Sequence, residues 1–369
     1  MKYKLKDIAK IKYGKNQKKV VFLNGNIPIY GTGGLMGYAK ESLYEKPSVL
    51  IGRKGTINKV RYVTHPFWTV DTLFYTIIDE KIIRPHYFYY LMTQINLLQL
   101  NEGTTIPSLR TETLNRIELE VPSLEKQDEI LSCVEPIEQK IELNQKINNN
   151  LEQQAEAIFQ SILSNAITTV NLGEIADVKG GKRLPKGVNL IDIPNAHPYI
   201  RVRDLNNALF ASLTPNYAYV DKETQKSISR YIVSTGDVLI SIVGTIGLTA
   251  IVDSTLDKAN LTENCVKVTN LKHITPEYLL LYLRSQLGRE AIAKGTVGAV
   301  QQKLPIKNIQ AIPIPLLSEK DKSALFCTLD SIFAGISNNV IQSAKLASLR
   351  DTLLPRLMSG ELDVSDIDH

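Results

Sequence analysis

The chain has 369 residues, of which 43% are hydrophobic and 22% are charged, and this balance argues against a disordered protein. Its three cysteines are widely separated, which argues against a disulfide framework and against a zinc site of the CxxC type. The net charge of +5 divides into +8 over residues 1–121, −5 over 122–169, +5 over 170–314 and −3 over 315–369. A basic block attracts a polyanion such as DNA, although an ordinary basic surface explains it equally well.

No segment of the sequence predicts a signal peptide or a membrane span. The opening MKYKLKDIAK is basic but is not followed by an apolar core. The most apolar long stretch, Val238–Val252, is β-branched, contains two glycines and is too short to cross a bilayer as a helix. A cytoplasmic protein is therefore expected.

Short β-branched runs alternate with glycine turns in both basic blocks. The segments Val49–Val63 and Val238–Val252 are predicted to form hairpins or adjacent strands. Short helices are predicted at Pro85–Leu100 and Pro276–Lys294. Each basic block is therefore predicted to be a mixed α/β (α+β) domain.

Three segments of the first basic block recur in the second, in the same order. The matched pairs are LKDIAKIKYGK (5–15) with LGEIADVKGGK (172–182), SVLIGRKGTI (48–57) with DVLISIVGTI (237–246), and GTTIPSLRTETLNRIELEVPSLEK (103–126) with GTVGAVQQKLPIKNIQAIPIPLLSEK (295–320). The period is too long for a solenoid, so two copies of a domain-sized unit are predicted. The middle segments of the two copies differ.

Each copy ends in a long predicted helix whose apolar stripe alternates steps of four and three. The stripe residues are Ile130, Val134, Ile137, Ile141, Asn144, Asn148, Leu151, Ala155, Ile158 and Ile162 in the first helix, and Leu325, Leu329, Ile332, Ile336, Asn339, Ser343, Leu346, Arg350, Leu353 and Leu357 in the second. Such a stripe is typical of the seam of a coiled coil. An amphipathic helix that lies on a globular core is the alternative.

A polar layer interrupts the centre of this seam: Asn144 and Asn148 in the first helix, Asn339 and Ser343 in the second. Buried asparagines cost stability and tend to fix the register of a coiled coil. A helix of about 35 residues is roughly 50 Å long, and only a short stretch follows it before the second copy begins. If the second copy lies where the first helix ends, the second helix runs back, so antiparallel pairing with pseudo-twofold symmetry is expected.

Motifs for catalysis and nucleotide binding are missing from the sequence. It contains no P-loop, no dinucleotide fingerprint, no amino-methyltransferase [NDS]PP[YF] motif and no nucleophile elbow. The glycine-rich GTGGLMG (31–37) is interpreted as a turn that exposes backbone, and the histidines lack metal-ligand spacing. A nuclease-like ExK at Glu138–Lys140 lies in the acidic helix, where surface charge is the better explanation. No catalytic residue, metal or cofactor is therefore expected in this chain.

Several phrases together resemble the specificity subunits of type I restriction–modification systems. The phrases that look like the target-recognition domain of that family are LKDIAKIKYGK, IPIYGTGGLMGY, VLIGRKGTINKV, VDTLFY and IPSLRTETLNRIELEVPSLEKQDEI. The ending LRDTLLPRLMSGEL is similar to the close of the family's second helical spacer. The resemblance covers nearly the whole chain, and it departs most in the second copy, where GTVGAVQQKLP replaces GTTIPSLRTE.

The resemblance implies target-recognition domains over residues 1–121 and 170–314 and helical spacers over 122–169 and 315–369. Each domain would read one half of a split double-stranded DNA site, and the coiled coil would set their separation and dock two modification subunits. S-adenosylmethionine would bind in the modification subunits, and ATP and Mg²⁺ in restriction subunits. A stand-alone DNA-binding repressor, which needs no partner, and a scaffold without sequence preference are the alternatives.

Basic and amide side chains are the candidate DNA contacts. In the first copy they are Thr32, Gly33, Gly34, Arg53, Lys54, Asn58, Lys59, Ser108 and Arg110, and in the second they are Lys182, Arg183, Arg201, Arg203, Gln301, Gln302 and Lys303. Arginine and lysine suit guanine edges or phosphates, and asparagine and glutamine suit adenine. A solvated surface side chain is the alternative for each. Tyr30, Tyr38 and Phe67 are expected in the core.

Overall fold

A computed structural model describes residues 1–206, 208–214, 217–299 and 301–364. The chain divides into two compact units, of which the first joins Met1–Glu142 to the chain from Ala344 onward and the second is Leu143–Ser343. Each unit thus combines one predicted recognition domain with part of each long helix. The last five residues of the predicted spacer 315–369 lie outside the described residues.

The first unit contains helices and strands in a mixed arrangement. Its strands are β1 (Lys2–Lys4), β2 (Ala9–Tyr13), β3 (Ile27–Gly31), β4 (Gly34–Ala39), β5 (Ser48–Gly52), β6 (Val60–Val63), β7 (Trp68–Thr69), β8 (Leu73–Ile78) and β9 (Glu118–Glu120). Its helices are α1 (Leu5–Ile8), α2 (Pro85–Gln94), α3 (Thr111–Asn115) and the start of α4 (Leu124–Leu163), which continues into the second unit.

The core of the first unit lies on both faces of a four-stranded antiparallel sheet in the order β2-β8-β5-β6. All five residues of β5 are buried, because α2 covers one face and a second cluster covers the other. Val49 and Ile51 belong to the cluster that contains Phe88 of α2, whereas Leu50 packs with Phe67. Burial of both faces explains why the VLIG run is continuously apolar and does not alternate between apolar and polar residues.

The second unit contains the remaining elements. Its strands are β10 (Thr168–Asn171), β11 (Asp177–Gly180), β12 (Tyr199–Ile200), β13 (Phe210–Ala211), β14 (Val238–Ser241), β15 (Thr249–Val252), β16 (Asn260–Leu261), β17 (Cys265–Thr269) and β18 (Pro313–Leu316). Its helices are α5 (Leu172–Ile175), α6 (Lys222–Ile228), α7 (Pro276–Arg284), α8 (Gln286–Gly295), α9 (Ile306–Gln310) and the start of α10 (Glu319–Ser359), which continues into the first unit.

The two units share one framework and differ in their middle segments. The order β11-β17-β14-β15 of the second unit repeats the order β2-β8-β5-β6 of the first, and β13 adds a fifth strand to it. Both predicted hairpins form, as antiparallel pairs β5–β6 and β14–β15. A three-stranded sheet, β4-β3-β7, fills the middle of the first unit, where the second has α6 and the parallel pair β12–β16.

Two predicted helices are shorter than the sequence indicated. The helix at Pro85–Leu100 ends at Gln94 and is followed by a separate turn of 3₁₀ helix at Leu97–Leu100. The helix at Pro276–Lys294 breaks at Ser285, which has an extended backbone and accepts a hydrogen bond from the Gly288 amide through its hydroxyl. The serine caps α8, so one predicted helix becomes two.

The long helices pair in antiparallel fashion, as predicted. Within the second unit Asn144 contacts Ser343, and the later residue Asn148 contacts the earlier residue Asn339. Every stripe residue of both helices is buried or half-buried. The helices also pack on the globular cores, because Phe159 of α4 contacts Tyr278 with ring centroids 5.1 Å apart. The prediction of a coiled-coil seam is therefore correct in part, and so is the alternative prediction of an amphipathic helix that lies on a globular core.

The polar layer forms a hydrogen-bonded group within the second unit. The Asn144 amide nitrogen donates to Gln342 Oε1 at 2.9 Å and to Ser343 Oγ at 3.1 Å, and the Asn339 amide donates to Asn148 Oδ1 at 2.8 Å. Asn144 is fully buried. A shift of the helices by one turn would separate these donors from their acceptors, so the layer favours one register.

An ion-pair cluster fastens α2 to α4 within the first unit. His86 lies 2.8 Å from Glu135 through Nδ1 and 3.1 Å from Glu138 through Nε2, and Arg350 contacts Glu138 at 3.4 Å. Burial alone lowers the pKa of His86, but the hydrogen bonds that its ring donates to the Glu138 and Glu135 carboxylates outweigh burial and raise that pKa above the ordinary value. The interpretation of Glu138–Lys140 as surface charge is therefore wrong for Glu138, which is a partner of this cluster.

By length and composition alone, α10 is apolar enough to cross a membrane. Its residues Leu325, Leu329 and Phe333 are buried in the core of the second unit, and Leu354 and Leu357 are buried in the core of the first. A single helix of this kind is weak evidence for a membrane span.

Candidate nucleic-acid interface

Two segments of the first unit that hold predicted DNA contacts lie side by side at one end of the four-stranded sheet. The loop 53–59 joins β5 to β6, and the segment 103–110 runs next to it. The Leu109 amide donates to the Arg53 carbonyl at 2.9 Å, and Lys54 forms an isolated β-bridge with Ser108. Backbone hydrogen bonds therefore hold the two predicted contact segments together.

The glycine-rich segment forms the turn between β3 and β4, as predicted. Gly34 has a φ of +127°, which favours glycine, and a Cβ at this residue would lie 3.4 Å from the guanidinium of Arg61. Thr32 is in the turn, and its hydroxyl lies 3.9 Å from the position that a Cβ on Gly55 would occupy. The turn thus adjoins the loop 53–59, and Gly33 at its tip is exposed.

The side chains on these segments differ in how freely they face solvent. Lys54, Asn58 and Lys59 are exposed. Arg53 is half-buried, with Nη1 donating to the Asp71 carbonyl at 2.9 Å and its guanidinium 5.0 Å from the centre of the Tyr13 ring. Arg110 forms an ion pair of 3.1 Å with Glu102. The three exposed residues of the loop are therefore better placed for an external ligand than Arg53, whereas Arg110 is 71% exposed and an incoming phosphate would compete with Glu102 for it.

A basic residue of β6 that the sequence reasoning missed also lies here. Arg61 lines a cavity of about 290 Å³ together with three predicted residues, Thr32, Asn58 and Lys59. The pairing of Leu50 with Arg61 in the β5–β6 hairpin places this arginine inside an otherwise apolar strand pair. An arginine within a β-branched run, VRYV, is the sequence signal that could have identified it.

The three aromatic residues that were expected in the core differ in how far they are buried. Phe67 is fully buried, and Tyr30 is half-buried. Tyr38 is 43% exposed, so that expectation was wrong. Its strand, β4, is the edge of the sheet β4-β3-β7, and Leu35 and Met36 of the same strand are also exposed. Next to the predicted contacts the hairpin thus presents apolar groups of the kind that contact thymine methyls.

The second unit repeats the backbone arrangement of the contact loops. The Leu304 amide donates to the Ile242 carbonyl at 3.0 Å, and Lys303 forms a bridge with Val243. In the loop of the second unit, Ile242 and Val243 therefore stand at the positions that Arg53 and Lys54 have in the loop of the first unit. The predicted residues Gln301, Gln302 and Lys303 are exposed on this loop. The frame is the same in both units, but the charge and the hydrogen-bonding groups come from different residues.

Two other predicted contacts of the second unit follow β11. The Lys182 ammonium lies 5.5 Å from the centre of the Tyr231 ring. Arg183 is 80% exposed and donates to Glu263 at 2.8 Å. Burial raises the pKa of the Glu263 carboxyl, but the hydrogen bond from Arg183 leaves it below the ordinary value. The Glu263 carboxyl is therefore ionised at neutral pH, and an incoming phosphate would compete with it for this arginine.

The predicted residues Arg201 and Arg203 lie in different environments. Arg201 makes two side-chain hydrogen bonds to Asp204, at 2.8 and 3.0 Å, and its side chain is only 18% exposed. Arg203 is 71% exposed and lies 4.0 Å from the same carboxylate. Arg203 is therefore available to a ligand, whereas the donors of Arg201 already serve the unit itself.

The family described as "Type I restriction modification DNA specificity domain" matches residues 1–153 and 166–345. The chain belongs to this family. The two matched ranges begin at the two copies of the duplicated unit, so both copies carry the specificity-domain pattern.

Relatives within the specificity-domain family extend over most of the chain. The type I restriction enzyme MjaIX specificity subunit of Methanocaldococcus jannaschii is 22% identical over 359 residues, covering 88% of this chain and 80% of the relative. The type I restriction enzyme EcoBI specificity subunit of Escherichia coli is 21% identical over 390 residues, covering 92% and 78%. A crystal structure of a type I restriction–modification S subunit from M. genitalium matches with a TM-score of 0.60 and 17% identity, covering 97% and 95%. The mixed fold with paired long helices is thus the fold of this family.

Proposed function

We propose that this chain is the DNA-reading specificity subunit of a type I restriction–modification complex. Each recognition domain reads one half of a bipartite DNA site, and the paired helices set the spacing and dock two modification subunits. One observation carries the proposal: two units share a strand order and the same loop hydrogen bonds, yet they present different side chains. Arg53 and Lys54 in one loop correspond to Ile242 and Val243 in the other. A repeated frame with different surface chemistry is suited to reading two unlike half-sites, because base edges are read by side chains.

The distribution of charge supports the same assignment. Residues 1–121 and 170–314 carry net charges of +8 and +5, whereas residues 122–169 and 315–369 carry −5 and −3. Phosphates attract the basic domains and repel the acidic helices. The helices therefore keep their outer faces available for protein partners.

We infer that the chemistry belongs to the partners and that this chain has no catalytic activity of its own. Modification subunits would bind S-adenosylmethionine and methylate adenine, and restriction subunits would use ATP and Mg²⁺ for translocation and cleavage. The ionisable cluster of His86, Glu135 and Glu138 joins α2 to α4 and serves packing. A protein that acts on DNA in this way would work in the cytoplasm.

Reconstitution tests the proposed function directly. The chain mixed with its cognate modification subunits and S-adenosylmethionine is expected to methylate one bipartite sequence, whereas neither component alone methylates DNA. Methylation is mapped by sequencing, and a gel-shift assay compares DNA binding with and without the subunits. Tight sequence-specific binding by the chain alone, unaffected by the subunits, would indicate a stand-alone repressor and contradict the proposal.

Lys54→Ala is expected to weaken DNA binding by the assembled complex and to lower the slope of log affinity against log salt by about one, because one phosphate contact is lost. Lys54 is exposed in the contact loop after β5, and Lys46 is exposed just before the same strand, at the other end of the sheet. Lys46→Ala removes the same charge and is the matched control. Fluorescence anisotropy at several salt concentrations measures both slopes. Equal slopes in the two variants would place Lys54 away from the DNA.

A further inference from the structure

Arg61 lies over the ring of a tyrosine that is itself hydrogen-bonded. Its guanidinium lies 5.1 Å from the centre of the Tyr30 ring, and the Tyr30 hydroxyl lies 3.3 Å from His65 Nε2. His65 Nδ1 lies 3.0 Å from the Pro66 carbonyl and can donate to it, which leaves Nε2 to accept from the tyrosine. The glycine at position 34 leaves space beside the guanidinium. A guanidinium stacked in this way loses little further freedom when it binds a ligand.

The charge of Arg61 is not neutralised within the described part of the chain. The half-buried Arg201 pairs with Asp204, and the more exposed Arg84 pairs with Asp128, but no carboxylate lies within ion-pair distance of Arg61 among the described residues. Arginine has five N–H donors and no acceptor, and a half-buried arginine without a carboxylate keeps those donors for an external anion.

The cavity beside Arg61 is lined by groups that suit an anion. It has a volume of about 290 Å³, and the residues that line it include Thr32, Asn58 and Lys59 as well as the apolar Leu50, Leu73 and Met92. The site is recessed, so it accepts a group that projects from its ligand. Phosphates project from the DNA backbone, whereas the edges of paired bases lie on the floor of a groove and are reached by side chains that protrude.

This site occurs in the first unit alone among the described residues. The hairpin pair of Leu50 with Arg61 corresponds to the pair of Leu239 with Ala250 in the second unit. Ala250 is fully buried in an apolar cluster. The two units therefore share this hairpin but differ in the residue at this position, which is arginine in the first unit and alanine in the second.

We propose that Arg61, together with Thr32 and Asn58, binds one DNA phosphate in the first half-site and thereby sets the register of the first recognition domain on the duplex. The proposal rests on the proposed function. It adds a site and a residue to the predicted contacts, and it gives Arg61 a positioning role and not a base-reading one.

The test compares Arg61→Gln with Lys81→Ala in the full chain assembled with its modification subunits. Glutamine keeps a planar group over Tyr30 and removes the charge. Lys81 is exposed and follows β8 at the end of the sheet opposite Arg53, so its loss is a matched control for charge. Arg61→Gln is expected to lower affinity about tenfold for cognate and non-cognate DNA alike and to reduce the salt slope by about one, with the methylated sequence unchanged. Lys81→Ala is expected to change neither.

Each remaining outcome decides the proposal. If the wild-type complex shows a bipartite specificity and Arg61→Gln behaves like Lys81→Ala, the phosphate site is wrong while the proposed function stands. A changed base preference with an unchanged salt slope would make Arg61 a base reader and overturn the positioning role. If the wild-type complex has no sequence preference, the proposed function itself fails. Arg61→Lys retains the charge and should restore the salt slope with lower affinity, because a single ammonium lacks the planar fork.

Discussion

Replacing residues 1–121 by the corresponding segment of another family member is expected to change one half of the methylated DNA sequence and to leave the other half intact. The segment is suited to exchange because its two ends meet. β1 pairs with β9, and the backbones of Met1 and Val121 exchange two hydrogen bonds of 2.8 Å. All predicted DNA contacts of the first unit lie between these ends.

The exchange must preserve the contacts that hold the domain to the start of α4. Arg84 makes two hydrogen bonds of 2.7 Å to Asp128, and His86 contacts Glu135 and Glu138. The donor segment should therefore carry arginine and histidine at these two positions. Without them Asp128 and Glu135 would lose these partners and Glu138 would keep Arg350, and a folding defect could then obscure the change in specificity.

The reciprocal replacement of residues 170–314 is the control and should alter only the other half-site. Its ends also meet, because β10 pairs with β18. Methylation mapping over a library of DNA sites reads out both exchanges. A change in both halves after either replacement, with the complex still assembled, would show that the domains do not read DNA independently.

Adding one heptad to each long helix is expected to increase the preferred separation of the half-sites by about three base pairs. Seven residues lengthen a helix by roughly 10 Å, and DNA rises 3.4 Å per base pair. The stripe repeats every seven residues, so matched insertions keep the seam in phase. The added twist of the DNA, roughly a third of a helical repeat, is expected to lower activity as well.

The polar layer identifies where the insertions belong. Asn148 of α4 lies opposite Ile336 of α10, because the Asn148 amide donates to the Ile336 carbonyl at 3.5 Å. One heptad placed after Asn148 and one before Ile336 would therefore extend the two helices at the same level. The contacts of Phe159 and Phe333 with the core of the second unit would move together with that unit.

Two controls separate a change of spacing from a general disruption. Four residues inserted at both positions break the stripe and should prevent assembly, and a heptad in one helix alone should misalign the polar layer. Methylation of a library with variable spacers measures the preferred separation. A folded and partner-bound heptad variant that keeps the original separation would show that the helices do not set the distance.

The repeat, the hairpins and the paired helices were predictable from the sequence because they depend on local periodicity. A period of two or of three and a half is a property of neighbouring residues, and matched phrases reveal a shared framework before any contact is known. The stripe from Ile130 to Ile162 and its counterpart from Leu325 to Leu357 thus defined the seam, and the asparagines at its centre defined the polar layer.

Only the tertiary structure decided the roles of single polar and aromatic residues, because those roles depend on partners far away in the chain. Arg201 and Arg61 are both arginines in basic domains, yet one pairs with Asp204 and the other lies over Tyr30 beside a cavity. Glu138 is a surface charge by sequence and a partner of His86 by contact. Tyr38 was expected in the core and is exposed, together with Leu35 and Met36 of the same strand. Burial and pairing set the cost and the availability of a polar group, and no local pattern encodes them.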